Sequence, residues 1–499
     1  MPVLPAWAEN LGSISLLLAV VAIVLMRLPP VQGVDHSAAF RRRRVFNWLP
    51  LGLTYAFLYM ARYNLSVSKA KFGEMPNSLG HPMMGNDDFG WIFGVGTAVY
   101  GVSFLINGPL TDRFGGKFAI ITGATGAAVM NLALGACAWV LVSQGPGDGR
   151  EASALYALVA DNFRVLFAVL YAANMYFQAF GAVAVVKVNA PWFHLRERGV
   201  FGAIFGILIS LGIYFAYDWG ALIVNNLPLY WVFWIPSLIL AAFIAQDVLI
   251  VQDTPAKAGY ADINTGDATD DDAPAMPPLK VFAMMLRNPI IMTIAFIEFC
   301  SGFLRQAIMQ WFREYAKQTD IVLGLKTSFV YEHWGLLLCI AGILGGVVAG
   351  VISDHFFQSR RGPVAALLYG AMLAGAIVLS FTYTSPFVGP LMILMSMCVV
   401  GVHGMLSGTA SMDFGGKKNV GVAVGIIDGF VYAGTAAMSF VYAYTLPTAE
   451  LDASHHYVGA CTEPANWIAW PVAMIPVAIV GLYLTTRIWT ATASKSAAH

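Results

Sequence analysis

The 499-residue chain is 58% hydrophobic and 11% charged, with a mean hydropathy of +0.68. That is too apolar for a soluble domain of this length. The net charge of zero says nothing by itself about partners, because the charges are segregated between loops.

Taken in chain order, the first apolar stretch is Leu11 to Leu28. Met1–Asn10 has no Lys or Arg and carries Glu9, a poor start for a cleaved signal, whereas Arg27 and Arg41-Arg42-Arg43-Arg44 follow the stretch. The stretch therefore reads as a retained extra helix with its N-terminus outside, against a signal peptide or an interfacial helix. Stretches long enough to span a bilayer then begin near residues 47, 89, 117, 165, 200 and 229, and again near 290, 334, 363, 387, 421 and 466. Between the two sets, residues 252–288 are polar and contain Asp270-Asp271-Asp272 with Pro274, Pro277 and Pro278, as expected of a solvated linker. The expected organisation is an extension over 1–40, a six-helix bundle over 41–251, the linker over 252–288, and a second six-helix bundle with a short tail over 289–499.

Basic residues set the orientation. Arg41–Arg44, Arg113 with Lys117, Arg196 with Arg198, Arg360 with Arg361, and Lys417 with Lys418 fall on one side, which is cytoplasmic by this rule. The other side carries mixed charges, among them Lys69, Lys71, Asp87, Asp88, Asp148, Glu151, Glu450 and Asp452. Both halves start inside, as parallel repeats about an axis along the membrane normal do. The linker and C-terminus are then expected in the cytoplasm of a cell whose inner (plasma) membrane holds the protein.

Two arginines lie inside apolar stretches, where a charge costs about 2.5–3.5 kcal/mol on insertion scales. Arg62 and Arg305 stand 243 residues apart. A loop signature is repeated at almost the same interval: Gly108-Pro-Leu-Thr-Asp112-Arg113-Phe-Gly115-Gly116-Lys117, then Gly350-Val-Ile-Ser-Asp354 with Arg360-Arg361 behind it. The arginines therefore occupy equivalent places in two copies of one unit. Two guanidiniums at matched depth suit an anion bound between the halves, because an arginine fork stays ionised and donates bidentately to phosphate. The competing structural readings are that Arg62 snorkels to the outer interface and that Arg305 bridges to Glu298 or Glu332.

The doubled Gly-x-x-x-Asp-Arg-x-Gly loop resembles that of the major facilitator superfamily, over nearly the whole chain after residue 45. Four stretches resemble, more narrowly, the organophosphate:inorganic phosphate antiporters, the group of the glycerol-3-phosphate and hexose-phosphate transporters. They are Tyr59-Met-Ala-Arg62-Tyr63-Asn64-Leu65; Phe303-Leu304-Arg305 with Trp311; Tyr331-Glu332-His-Trp-Gly335 through Ser353-Asp354; and Asp413-Phe-Gly-Gly-Lys417-Lys418 through Gly425. The resemblance implies an all-α membrane fold of two six-helix bundles related by pseudo-two-fold symmetry. It also implies that Arg62 and Arg305 face each other across a central cavity and bind phosphate, and that the protein acts as a monomer. The sequence departs from the glycerol-3-phosphate pattern where a second-helix lysine is Phe104, a fifth-helix histidine is Ile209, and the basic residue after the first arginine is Tyr63.

Around the arginines, Tyr59 and Tyr63, with Tyr55, are candidates to bond the ligand, and Lys187 is either a ligand contact or a snorkelling lysine. Glu298, Asp428 and Glu332 are candidates for coupling or gating. His403 reads as a packed histidine. Gly108, Asp112, Arg113, Asp354 and Arg360 are expected to serve conformational change rather than substrate. The cysteines show no metal or disulfide spacing, and no phosphate-binding nucleotide loop, zinc motif or nucleophile elbow occurs. The sequence thus predicts a secondary carrier with no enzymatic activity, no cofactor, no metal and no nucleic-acid partner. It would exchange a small phosphorylated metabolite for inorganic phosphate. A proton-coupled carrier of another organic anion, and a receptor of transporter fold that binds an organophosphate, are the alternatives.

Overall fold

The computed structural model describes residues 37–77, 81–146, 151–194, 197–265, 278–357, 361–452, 454 and 456–489. The stretch 11–28, the acidic run 270–272 and Arg360 lie outside the described residues, as do the side chains of Asp354, Lys417 and Lys418.

The first half comprises α1 (Ala38–Gly73), α2 (Asn86–Phe114), α3 (Gly116–Ser143), α4 (Phe163–Asn189), α5 (Arg198–Tyr214) and α6 (Trp231–Ile250). The second comprises α7 (Pro289–Gln318), α8 (Trp334–Phe356) and α9 (Arg361–Thr382), then α10 (Val388–Leu406) and α11 (Gly425–Thr445), two spans of the helical segment Val388–Thr445, and α12 (Ala469–Arg487). Among the described residues, ten helical spans are long and apolar enough to cross a membrane. The two remaining stretches of the sequence reading fall in α1, and in α8, whose apolar run is Trp334–Ala349.

The arginine run 41–44, expected in a loop, forms the first turns of α1. Ser37 caps the helix by accepting from the Phe40 amide at 3.2 Å, and arginine is a strong helix former. Arg44 donates bidentately to the Glu197 carboxylate at 2.9 and 3.1 Å, and Arg43 donates to the Ile250 carbonyl at 2.8 Å. These bonds fix where the chain leaves α6. The described part of the linker touches the bundle where Gln252 exchanges hydrogen bonds with Asn47 and Tyr260 packs on Phe40, while Lys257, Gly259, Asp262 and Asn264 are exposed. Near its end a helix forms, Pro278–Arg287, because Val281 and Met285, one turn apart, bury against Ile291, Ala295, Val422 and Ile426.

The halves meet along α2–α11 and α5–α8. At the α2–α11 crossing a Cβ added to Gly101 would come within 2.9 Å of the Gly429 carbonyl, so only a glycine admits this approach. A wide π-helical stretch, Phe215–Trp219, follows α5 and presents Asp218 to the other half. The Asp218 carboxylate accepts from the Gly335 and Leu336 amides, each at 2.8 Å, at the positive end of α8.

The end of the bundle remote from the linker is closed by a buried network. Lys69 of α1 pairs with Glu314 of α7 at 2.8 Å and donates to Asn86 Oδ1 at 2.7 Å. Asn86 in turn bonds Gln318 and the Pro447 carbonyl. Lys317 reaches Glu74 at 3.0 Å and the Ala70 carbonyl at 2.8 Å. Among the described residues these are the ion pairs that join the halves, and both lie at this end.

Candidate functional site

Arg62 lies in the middle of α1 and is fully buried. Its Nη1 donates to the Tyr432 hydroxyl on α11 at 2.8 Å. Its Nη2 donates to the Tyr100 hydroxyl on α2 at 2.8 Å and to Gln178 Oε1 on α4 at 3.4 Å. The guanidinium carbon lies 4.6 Å from the ring centroids of both Tyr59 and Tyr100. The two Nη groups are therefore held by neutral oxygens and the cation faces aromatic rings, while Nε is buried without a hydrogen-bond partner and no carboxylate among the described residues bonds the guanidinium. This burial excludes snorkelling.

Arg305 occupies the equivalent place in α7 and is 7% exposed. Among the described residues it makes no hydrogen bond or ion pair, and its Nε is buried without a partner. The bridge to Glu298 or Glu332 is absent. Glu298, two turns away, pairs instead with His403 of α10 at 2.8 Å. Glu332 is exposed near the closed end and makes no ion pair among the described residues.

The residue after each arginine touches the other half: Gln306 Nε2 donates to the Tyr63 hydroxyl at 2.8 Å. Tyr59, Tyr63 and Tyr432 lie within electrostatic reach of both guanidiniums. Tyr55, Tyr59 and Tyr63 form a continuous aromatic ladder with centroids 5.3 and 5.8 Å apart. Asp428, one turn from Tyr432, is half-buried and acts electrostatically on Tyr55 and Tyr100.

Phe104, where a lysine was looked for, is buried edge-on to Tyr100 at 4.8 Å and stacks with Tyr432 at 6.0 Å. A lysine there would need a partner that these rings do not provide. The sequence reading missed Tyr100, Gln178, Gln306 and Tyr432. Their signal was present in part, since Gln178, Gln306 and Gln310 are polar residues inside apolar helices.

Lys187 is placed elsewhere. Its ammonium sits 2.6 Å from Asp112, at the turn between α2 and α3. It thus belongs with the repeated loop rather than with the arginines. At the same turn Gly115 takes a φ of 96°, and Asp253 accepts from the Lys117 amide at 2.8 Å. Gly108 is buried before the turn and Arg113 is exposed over the Phe114 ring at 5.2 Å.

Chemically, the site offers one buried guanidinium with an open fork and a second whose fork holds two exchangeable hydroxyl oxygens. Oxyanion oxygens can replace those hydroxyls without leaving a donor unpaired. Among the described residues no cluster of side chains suits a metal ion.

The family model of the Major Facilitator Superfamily matches residues 51–439. The chain is 24% identical to a glycerol-3-phosphate transporter of Bacillus subtilis (strain 168), over 94% of this chain and 98% of that protein. It is 23% identical to the membrane sensor protein UhpC of Escherichia coli (strain K12), over 83% of this chain and 88% of that protein. Among solved structures it is similar in fold to a D-xylose-proton symporter, with a TM-score of 0.56 and 14% identity over 89% of this chain and 97% of that one. The chain is a multi-pass membrane protein that belongs to the Major Facilitator Superfamily.

Proposed function

We propose that the protein exchanges a small phosphorylated metabolite for inorganic phosphate by alternating access, with Arg62 and Arg305 holding the phosphoryl group. The observation that carries this reading is the buried Arg305, which has no hydrogen-bond or ion-pair partner among the described residues, set beside a second buried arginine whose ligands are neutral oxygens. Two permanent cations in a low-dielectric core call for an anion of matching charge, and a phosphate monoester carries close to two negative charges. Relatives named for glycerol-3-phosphate transport add support.

In this reading the two bundles, 41–251 and 289–499, rock about the site as a monomer in a cell membrane, with the linker on the cytoplasmic side. The ligand draws Arg62 and Arg305 together. Without it the guanidiniums repel, and the empty carrier is slow to return, which makes exchange obligatory. The closed end remote from the linker is then the outer gate. Tyr59 and Tyr63 contribute aromatic surface and a hydroxyl to the ligand pocket, and Lys187 with Asp112 serves the conformational change.

The test is labelled-phosphate counterflow in liposomes carrying the purified protein. Vesicles would be preloaded with phosphate, glycerol-3-phosphate, glucose-6-phosphate, phosphoenolpyruvate or nothing. Uptake confined to preloaded vesicles is expected, and the best internal ligand names the substrate. A second reading, a receptor that binds an organophosphate without flux, is favoured by the relative named as a sensor and by Phe104 filling the lysine position. Binding of phosphate esters with no counterflow would establish it in place of exchange.

A further inference from the structure

The arginine site leaves a buried acid of α7 unexplained. Glu298 is fully buried in α7, on the same face as Arg305 and two turns nearer the linker end. Its Oε2 accepts from His403 Nδ1 at 2.8 Å. Its Oε1 is buried and has no hydrogen-bond partner among the described residues. His403 is half-buried, and among the described residues nothing else bonds its ring.

We infer that Glu298 and His403 form a proton-binding site, distinct from the arginine pair, and that a proton and the transported anion bind cooperatively. The argument is electrostatic. A lone carboxylate beside a neutral imidazole leaves one negative charge in a core that disfavours it. Taking one proton from solution onto the imidazole, by forming its second N–H bond, converts the pair into a neutral ion pair. No other bond changes. An anion on Arg305, about 10 Å along the helix, adds negative potential and favours that protonation. By reciprocity the proton favours the anion to the same degree. Histidine is the side chain suited to change charge near neutral pH.

Among the described residues, the surrounding elements supply no ion-pair or hydrogen-bond partner for Glu298 other than His403. On α9, Tyr369 spends its hydroxyl on the Ile297 carbonyl at 2.6 Å. Cys300 of α7 is near but uncharged in its thiol form. On α11, Asp428 acts on Tyr55 and Tyr100 on the side of the first half. Lys280 and Arg287 of the Pro278–Arg287 helix are exposed, and Arg487 of α12 bonds Tyr483 at the surface. Among the described residues, Arg305 is the cation on the same face of α7, and a bound anion neutralises it.

The link to the anion rests on the phosphate-exchange reading; the proton site itself does not. The test is a pH titration of the ring-nitrogen resonances of the full-length protein in micelles with labelled histidine. His403 is assigned by its loss in His403→Gln, and inorganic phosphate is the probe. In the wild type the His403 midpoint should move up by about one pH unit on adding phosphate, the equivalent of a tenfold coupling. In Glu298→Gln the midpoint should fall, because the carboxylate that holds the proton is gone. A wild-type midpoint that phosphate leaves unchanged, although counterflow shows phosphate to be a ligand, would overturn the coupling. A midpoint indifferent to Glu298→Gln would overturn the site itself. If phosphate gives neither counterflow nor a shift, the exchange reading fails, and a lowered midpoint in Glu298→Gln would still support the proton site.

Discussion

The Tyr63 hydroxyl and the Gln306 side-chain amide meet at 2.8 Å, and these two residues stand 243 positions apart in the chain. Each directly follows one of the buried arginines. In a pseudo-two-fold assembly, residues in equivalent positions of the two repeats touch only near the axis. This contact therefore puts Arg62 and Arg305 at one level beside it. Glu74 and Lys317, also 243 apart, meet at the closed end and trace the same axis further along.

The two arginines differ in what holds them, so their lysine variants should differ too. Arg62→Lys and Arg305→Lys should each cut phosphate exchange by about a hundredfold, because a point charge cannot replace a bidentate fork. Arg62→Lys should also lower the melting temperature of the unloaded protein, since the Tyr100, Tyr432 and Gln178 bonds cannot all be remade. Arg305→Lys should leave it nearly unchanged. Counterflow and thermal unfolding read the two effects separately, and near-normal exchange in either variant would remove that residue from the site.

Tyr432 competes with an anion for Arg62. Tyr432→Phe removes the acceptor at Nη1 and leaves a donor unpaired in the empty protein, at a cost of about 1–3 kcal/mol. A phosphate oxygen restores the bond, so phosphate should bind up to about tenfold more tightly. Weaker binding, measured with labelled phosphate on purified protein, would mean that the hydroxyl contacts the ligand rather than replacing it.

Lys69 and Glu314 hold the closed end together while both are buried. Removing one partner strands a buried charge, which costs about 3–5 kcal/mol, whereas replacing both with apolar residues of similar volume costs far less. Lys69→Met should therefore open this end strongly, and Lys69→Met with Glu314→Met should partly restore closure. Labelling of a cysteine placed at Ala316, buried on α7 beside this network, would report it; additive effects of the two substitutions would rule out the pair as a closing element.

The closed end should also loosen in acid. Burial works to raise the Glu74 carboxyl, but the Lys317 and Lys71 ammoniums outweigh it and hold the group below its ordinary range. A depressed carboxylate contributes stability that is complete above its unfolded value and is lost as pH falls through the folded one. Labelling at the closed end should thus rise below the ordinary carboxylate value of about 4.3. Glu74 is partly exposed, so the effect is modest. Glu74→Gln should raise labelling at neutral pH and flatten the dependence in that range; an unchanged profile would count against the contact.

Much of the fold could be read from the chain because a membrane forces it. Apolar stretches of span length must become helices when no water can satisfy the backbone, and ten of the twelve stretches are spans by length and composition. The boundaries that were misjudged lie where packing decides. Arg41–Arg44 became helical because Glu197 and the Ile250 carbonyl hold Arg44 and Arg43. Residues 278–287 became a helix because α7 and α11 bury Val281 and Met285. In the site, the two arginines were legible because charge and repeat spacing mark them, whereas their neutral neighbours were not. Tyr100, Gln178 and Tyr432 are far from Arg62 in sequence, and Lys187 was left open between a ligand contact and a snorkelling lysine because its distance from Asp112 is not written in the spacing.

By itself the sequence determined the twelve apolar stretches of the two halves, the two-fold repetition, and the presence of two charges too costly to bury without purpose. Hydropathy and periodicity are local properties, and they survive without knowledge of neighbours. Only the tertiary structure decided which charge found which partner: Arg62 with two tyrosines, Glu298 with His403, Lys187 with Asp112, Lys69 with Glu314, and Arg305 with none among the described residues. Those pairings depend on distances of a few ångströms between helices, and helix–helix packing fixes such distances only once the bundle has closed.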